Sequence, residues 1–139
     1  MQNGVLIIHT DGGSRGNPGP AACAFVAELD GKVLAEKSKY LDITTNNIAE
    51  YQGVLLALDW LLENSKSFKI TEVIFFLDSE LVVKQLTGFY RVKKPELQTL
   101  NLIIKKKIEE ISIKVNFQNI PREQNKEADR LVNEELDLQ

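Results

Sequence analysis

Between the apolar run VLII and the apolar run AACAF the chain reads HTDGGSRGNPGP, a stretch holding four of the eight glycines and two of the four prolines. Neither residue in such density belongs inside a helix, so the flanking runs are predicted strands joined across a loop. A simple turn uses one or two residues of this kind. Four glycines imply backbone held close to something, which is either a tight loop of the protein itself or a bound ligand.

The remaining pattern gives an order of elements. Val5 to Thr10, Ala21 to Glu28 and Lys32 to Leu41 are predicted strands, the last two flanking Asp30-Gly31, a strong hairpin signal. From Asn47 the apolar period becomes helical: Ile48, Tyr51, Val54, Leu55, Leu58, Leu61 and Leu62 follow the capping candidates TTNN. Val73 to Leu77 is a buried strand ending in Asp78, Ser79 to Leu86 a short helix closing near Gly88, and Pro95 to Glu110 a longer helix opened by proline. Ile113 to Ile120 alternates as a strand, and Asn125 to Leu136 is a last helix. The order βββαβααβα predicts an α/β fold with a five-stranded mixed sheet and flanking helices.

Composition narrows the chemistry. A chain of 139 residues with 43% hydrophobic content suits a single domain over residues 1–139. Its start, MQNGVLII, lacks the pattern of a leader, and VLLALDWLL carries Asp59 and is too short to span a bilayer, so a cytoplasmic protein without membrane contact is expected. Cys23 is the one cysteine and His9 the one histidine, which excludes an internal disulfide and a Cys- or His-based metal cluster. Cys23 is expected in the core. His9 is expected in the core or at a strand edge, on the same face of its strand as Asp11. A net charge of −3 argues against a nucleic-acid partner, although local patches govern binding more than totals do.

Strand directions bring carboxylates together. If the first, third and fourth strands ascend, Asp11, Glu50 and Asp78 all lie at the top of the sheet, where ligands of such sheets bind. Asp129 joins them only if the fifth strand also ascends. Taken singly, Asp11 suits an Asx-turn, Glu50 a capping box with Asn47, Asp78 a helix cap and Asp129 a solvated face. Together they would repel unless cations held them. Oxygen ligands alone suit Mg²⁺ or Mn²⁺, and a pair of such ions about 4 Å apart serves phosphodiester hydrolysis.

Four segments, TDGGSRGNPGPAACAF, TTNNIAEYQGVLLAL, FLDSELVVKQLTG and NKEADRLVNE, resemble in order and spacing the motifs of type 1 ribonuclease H. The likeness runs over nearly the whole chain. It implies the ribonuclease H fold, with Asp11, Glu50, Asp78 and Asp129 as the ligands of two Mg²⁺ or Mn²⁺ ions. The implied reaction is endonucleolytic cleavage of the RNA strand of an RNA/DNA hybrid, leaving 5′-phosphate and 3′-hydroxyl ends. Double-stranded RNA is a second candidate substrate because its shape is close to that of a hybrid. Gly12, Gly13, Asn17 and Asn46 match positions that lie against the RNA strand, and Thr45 and Asn47 match a substrate-facing turn, where either residue alternatively caps the helix. The protein is expected to work as a monomer.

Two departures from the bacterial pattern stand out. The loop NIPREQNKEAD has no histidine, as in an archaeal-type branch of the family, leaving Arg122 or Glu123 as accessory candidates or as a solvated loop tip. No basic helical insertion is present. GFYRVKKPELQ offers Arg91, Lys93 and Lys94 in its place, where the resemblance predicts DNA-strand contact; the alternative is a surface loop with Phe89 in the core. KKK at 105–107 suits the solvated face of a helix. Two other readings compete with the hybrid-specific nuclease: a non-catalytic nucleic-acid-binding module, and another nuclease of the same superfold.

Overall fold

A computed structural model of the chain describes residues 4–139. Residues 1–3, on which part of the leader expectation rests, lie outside the described residues. The elements are β1 (Val5–Ser14), β2 (Gly19–Leu29), β3 (Lys32–Thr44), α1 (Asn46–Asn64), β4 (Glu72–Leu77), α2 (Glu80–Leu86), α3 (Pro95–Ile111), β5 (Lys114–Asn119) and α4 (Lys126–Asp137). Short 3₁₀ turns at Ser65–Phe68 and Arg122–Gln124 are additions that periodicity does not register. Among the described residues no helix is long and apolar enough to cross a membrane.

The sheet has the order β3-β2-β1-β4-β5, which places β1 at its centre. β1 runs antiparallel to β2 and parallel to β4, β4 is parallel to β5, and β2 is antiparallel to β3. β5 therefore ascends with β1 and β4, the condition on which the placement of Asp129 depends.

β2 reads as a continuous apolar run because residues 21–27 are buried on both faces. Phe25, Ala27 and Leu29 join the large core that also holds residues of α1, α2 and α3, whereas Ala22 and Ala24 meet Val132 and Leu136 of α4. A strand's period of two puts these sets on opposite faces, so the sheet lies between the first three helices and α4. Cys23 is fully buried in β2, and burial pushes its thiol up to about 12, so it packs as a small apolar side chain.

The glycine-rich stretch departs from the expected loop. β1 continues past Asp11 to Ser14, with Gly12 opposite Cys23 and Gly13 opposite Ala22, so only residues 15–18 form the connection. The reason lies in α1. A Cβ on Gly12 would overlap the carbonyl group of Ala49 and stand 2.5 Å from the Glu50 nitrogen. A Cβ on Gly53 would stand 2.8 Å from the Asp11 carbonyl oxygen. Helix and strand meet backbone to backbone at two points one helical turn apart. Gly19 is also confined by backbone, that of Arg15, so internal packing accounts for more of these glycines than a turn alone would suggest. Gly13 is the exception: a Cβ there would find only Asn46 Oδ1, at 3.8 Å.

This contrast separates two neighbouring substitutions. Gly12→Ala is expected to destabilise by about 3 kcal/mol through overpacking against α1, with a fall in Tm on the order of 10 °C. Gly13→Ala should leave Tm within a few degrees of wild type, since its Cβ meets only ordinary contact. Thermal melts of the two variants followed by circular dichroism check this; equal losses would remove the close approach as the reason for Gly12.

Candidate active site

The parallel ladder of β1 and β4 ends with His9 opposite Phe76. Two residues further on stand Asp11, three residues before the end of β1, and Asp78, immediately after β4. Glu50 follows from the seating of α1 on Gly12. Asp129 follows from the reversal after β5, where the Ile120 N–H and the Asn119 side chain both bond the Leu77 carbonyl, at 2.9 and 3.1 Å. The short turn at Arg122–Gln124 then starts α4 with Asp129 in its first turn.

All four carboxylates line one open cavity of about 340 Å³. Their closeness shows in their protonation. Burial first, then the charges of Asp78, Asp129 and Glu50, push Asp11 up to about 8, against the pull of a hydrogen bond from the Gly12 backbone. Burial, with Asp78 adding to it, raises Glu50 to about 7, against a hydrogen bond from Ser79 and the charge of Arg122. Among the described residues no three carboxylate, histidine or cysteine side chains stand, as arranged, in a group that could hold a metal ion. The four acids share a cavity and a field, with oxygen donors only. Such a set fits a hard divalent cation, whose charge would relieve the mutual repulsion.

The helix caps are not those that the acids suggested. Thr45 caps α1, its Oγ1 accepting the Ile48 N–H at 3.3 Å, so Asn47 is not the cap. Ser79 caps α2 by accepting the Val82 N–H at 3.3 Å, which leaves Asp78 free of that duty.

The predicted substrate-facing residues divide into groups. Asn46 Oδ1 accepts from the Ser14 N–H at 2.9 Å and from its hydroxyl at 3.1 Å, and Asn17 Oδ1 accepts the Asn46 N–H at 3.0 Å. These amides thus tie the end of β1 and the following loop to the start of α1, with Asn46 and Gly13 lining the cavity. Arg122 lines it as well. Asn47 instead lines a second groove with Arg91, Lys93 and Lys94. Phe89 is 80% exposed rather than in the core, and Lys84 lies over the Tyr90 ring at 5.1 Å from its centroid.

Glu123 parts from Arg122 and faces a smaller cleft that contains His9 and Glu28. His9 sits half-buried against the Phe76 ring, at 5.2 Å between centroids, and burial lowers its pKa despite the opposing charge of Glu28. Lys107, from the basic run on α3, pairs with Asp59 of α1 at 2.6 Å.

Sequence reasoning passed over two residues. Arg15, in the loop after β1, lines the cavity and pairs with Asp137 at 2.7 Å, a link to the end of α4 that no local signal carries. The sequence pattern gives Asn125 only as the start of the last helix. It occupies the cap position of α4 without making a side-chain cap bond, and donates instead to Asp78.

Residues 9–135 match a family model described as "Reverse transcriptase-like". The chain is 38% identical over 135 residues to the bifunctional protein Rv2228c of Mycobacterium tuberculosis, covering 95% of this chain and 35% of that protein. It therefore spans about a third of the length of that relative. It is 35% identical over 142 residues to ribonuclease HI of Halobacterium salinarum, covering 98% of this chain and 66% of the relative. Among solved structures, LC11-RNase H1 in complex with an RNA/DNA hybrid superposes with a TM-score of 0.87 at 43% identity, over 93% of this chain and 94% of that one. With the five-stranded mixed sheet and strand order in place, these likenesses carry the same conclusion as the four sequence motifs: the chain belongs to the type 1 ribonuclease H family of enzymes.

Proposed function

We propose that this chain hydrolyses the RNA strand of RNA/DNA hybrids, with Asp11, Glu50, Asp78 and Asp129 as the catalytic carboxylates that hold two Mg²⁺ or Mn²⁺ ions. The observation that carries this reading is the gathering of four carboxylates from β1, α1, the end of β4 and α4 in one cavity, where burial first and then neighbouring acidic charge raise Asp11 to about 8 and Glu50 to about 7. A binding module would have no use for such a cluster. The binding of a hybrid by LC11-RNase H1 supports the substrate class.

When bound, the ions supply the positive charge that makes water nucleophilic and stabilises the leaving oxygen. The side chains do the rest. Ser79 steadies Glu50 while its own oxygen caps α2, so the ligand and the helix share one anchor. The open backbone at Gly13 and the clamped Asn46 present polar groups to the ribose and phosphate of the RNA strand, where the 2′-hydroxyl distinguishes RNA from DNA. Arg122 faces the same cavity and suits a phosphate oxygen. The groove of Asn47, Arg91, Lys93 and Lys94 takes the backbone of the DNA strand. Water attacks phosphorus, the bond to the 3′ oxygen breaks, and the products carry 5′-phosphate and 3′-hydroxyl ends. Residues 1–139 act in this as a single ribonuclease H domain.

Replacing one carboxylate by its neutral isostere tests the assignment. Asp78→Asn should fold with a Tm close to wild type and cut an end-labelled RNA/DNA hybrid on the order of a thousandfold more slowly, about 4 kcal/mol of barrier. RNA/RNA and DNA/DNA duplexes run alongside separate hybrid cleavage from broader nuclease activity. Substantial hybrid cleavage by folded Asp78→Asn would sink the site; no cleavage by wild-type protein with Mg²⁺ or Mn²⁺ would favour the binding module.

A second expectation concerns pH. The folded pKa values of Asp11 and Glu50 lie above their ordinary values, so folding favours their protonated forms, and the associated stability is lost as pH rises toward 7 and 8. In chelator, Asp11→Asn should therefore exceed wild type in Tm by a margin that grows between pH 5 and pH 8. Mg²⁺ should raise the Tm of wild type at pH 8 more than that of the variant. A margin independent of pH would contradict the crowded, uncompensated carboxylates.

A further inference from the structure

One buried amide lies behind the cavity. Asn125 is 1% exposed, and its Nδ2 donates to the Thr10 carbonyl and to Asp78 Oδ2, each at 2.9 Å. The Thr10 carbonyl is the last backbone acceptor before Asp11. The Asn125 carbonyl in turn accepts the Asp129 N–H at 3.1 Å, and its own N–H bonds the Arg122 carbonyl at 2.9 Å. A single residue thus joins the strand bearing Asp11, the side chain of Asp78 and the turn bearing Asp129.

The orientation of the amide is forced. Both partners of its NH₂ are acceptors, so the flipped amide would set oxygen against oxygen twice. Its Oδ1 is buried without a partner among the described residues, an energetic cost that the two donated bonds offset. An apolar residue would fill the space without that cost; only a two-hydrogen donor can hold a backbone carbonyl and a carboxylate at once. This bond takes one lone pair of Asp78 Oδ2 and so favours Oδ1 as the oxygen that meets a cation.

We propose that Asn125 is a positioning residue: its amide sets which oxygen of Asp78 serves the metal and fixes α4, with Asp129, against β1. This rests on the reading of Asp78 and Asp129 as metal ligands. The partner that orients a metal-binding side chain commonly changes metal affinity or activity by 10- to 100-fold when removed.

The test uses the full chain and Mn²⁺ as the probe. Asn125→Asp keeps the shape and removes the donor, and Asn101→Ala, at a buried asparagine of α3, controls for loss of stability alone. At a temperature where all variants are folded by circular dichroism, calorimetric titration should show Mn²⁺ affinity lowered at least tenfold in Asn125→Asp and unchanged in Asn101→Ala. For the hybrid, kcat should fall with KM within about twofold of wild type. Wild-type Mn²⁺ affinity and kcat in folded Asn125→Asp would overturn the proposal.

If Asn125→Asp does not fold, the wild-type protein decides. In ¹⁵N spectra, the two Asn125 side-chain protons should exchange slowly with water and shift on Mg²⁺ addition, and fast exchange with no shift would overturn the proposal. Asp78→Asn in the same titrations separates the two levels. Should it bind Mn²⁺ like wild type, the metal-site reading fails with the proposal. Should it lose Mn²⁺ while Asn125→Asp does not, only the role of Asn125 falls.

Discussion

At the end that carries Glu50, helix α1 rests on the backbone of β1 at Asp11 and Gly12, and the geometry of the acidic cavity depends on that contact. Gly12 and Gly53 remove the two side chains that would hold the elements apart, so the first turn of α1 lies against the segment that carries Asp11. Glu50 is thereby set next to a strand residue by packing, and its carboxylate is steadied by a hydrogen bond from Ser79. The parallel register of β1 and β4 brings Asp78 close to Asp11, and the buried Asn125 ties both strands to the start of α4. Four acids from distant parts of the chain are held together by backbone contact, strand register and one amide.

These contacts come at an electrostatic cost. Carboxylates this close and this buried are raised toward neutrality, Asp11 to about 8 and Glu50 to about 7. The rest of the fold supplies the rigidity that maintains them: β2 is buried on both faces, and the helices on either side clamp the sheet. A site that is uncomfortable without cations and rigid enough not to relax is well suited to binding them.

Much of this was legible in the sequence, for physical reasons that differ by element. Helical spacing from Ile48 to Leu62 and the apolar run at Val73 to Leu77 reflect burial on one or two faces, which periodicity reports directly. The order of strands and helices, with the handedness of parallel crossovers, was enough to bring Asp11, Glu50 and Asp78 to one end, and the ascending β5 brought Asp129. What composition could not reveal was contact at a distance. The glycines suit a tight loop or a bound ligand, yet Gly12 serves α1, a partner nearly forty residues away in sequence. Thr45 rather than Asn47 capped the helix, a choice between neighbours that local propensity does not resolve. The sequence marks Asn125 only as the start of the last helix, because its bonds run to Thr10 and Asp78, outside any local window.

The central claim, that backbone contact at Gly12 and Gly53 gathers these carboxylates into a divalent-metal site, is tested most directly by diffraction. Crystals of the protein grown with Mn²⁺ and a non-cleavable RNA/DNA hybrid would be measured at the manganese absorption edge. The account predicts two anomalous peaks in the cavity among Asp11, Glu50, Asp78 and Asp129, about 4 Å apart. Peaks confined to other surfaces, or a cavity that holds no manganese with the hybrid in place, would contradict it.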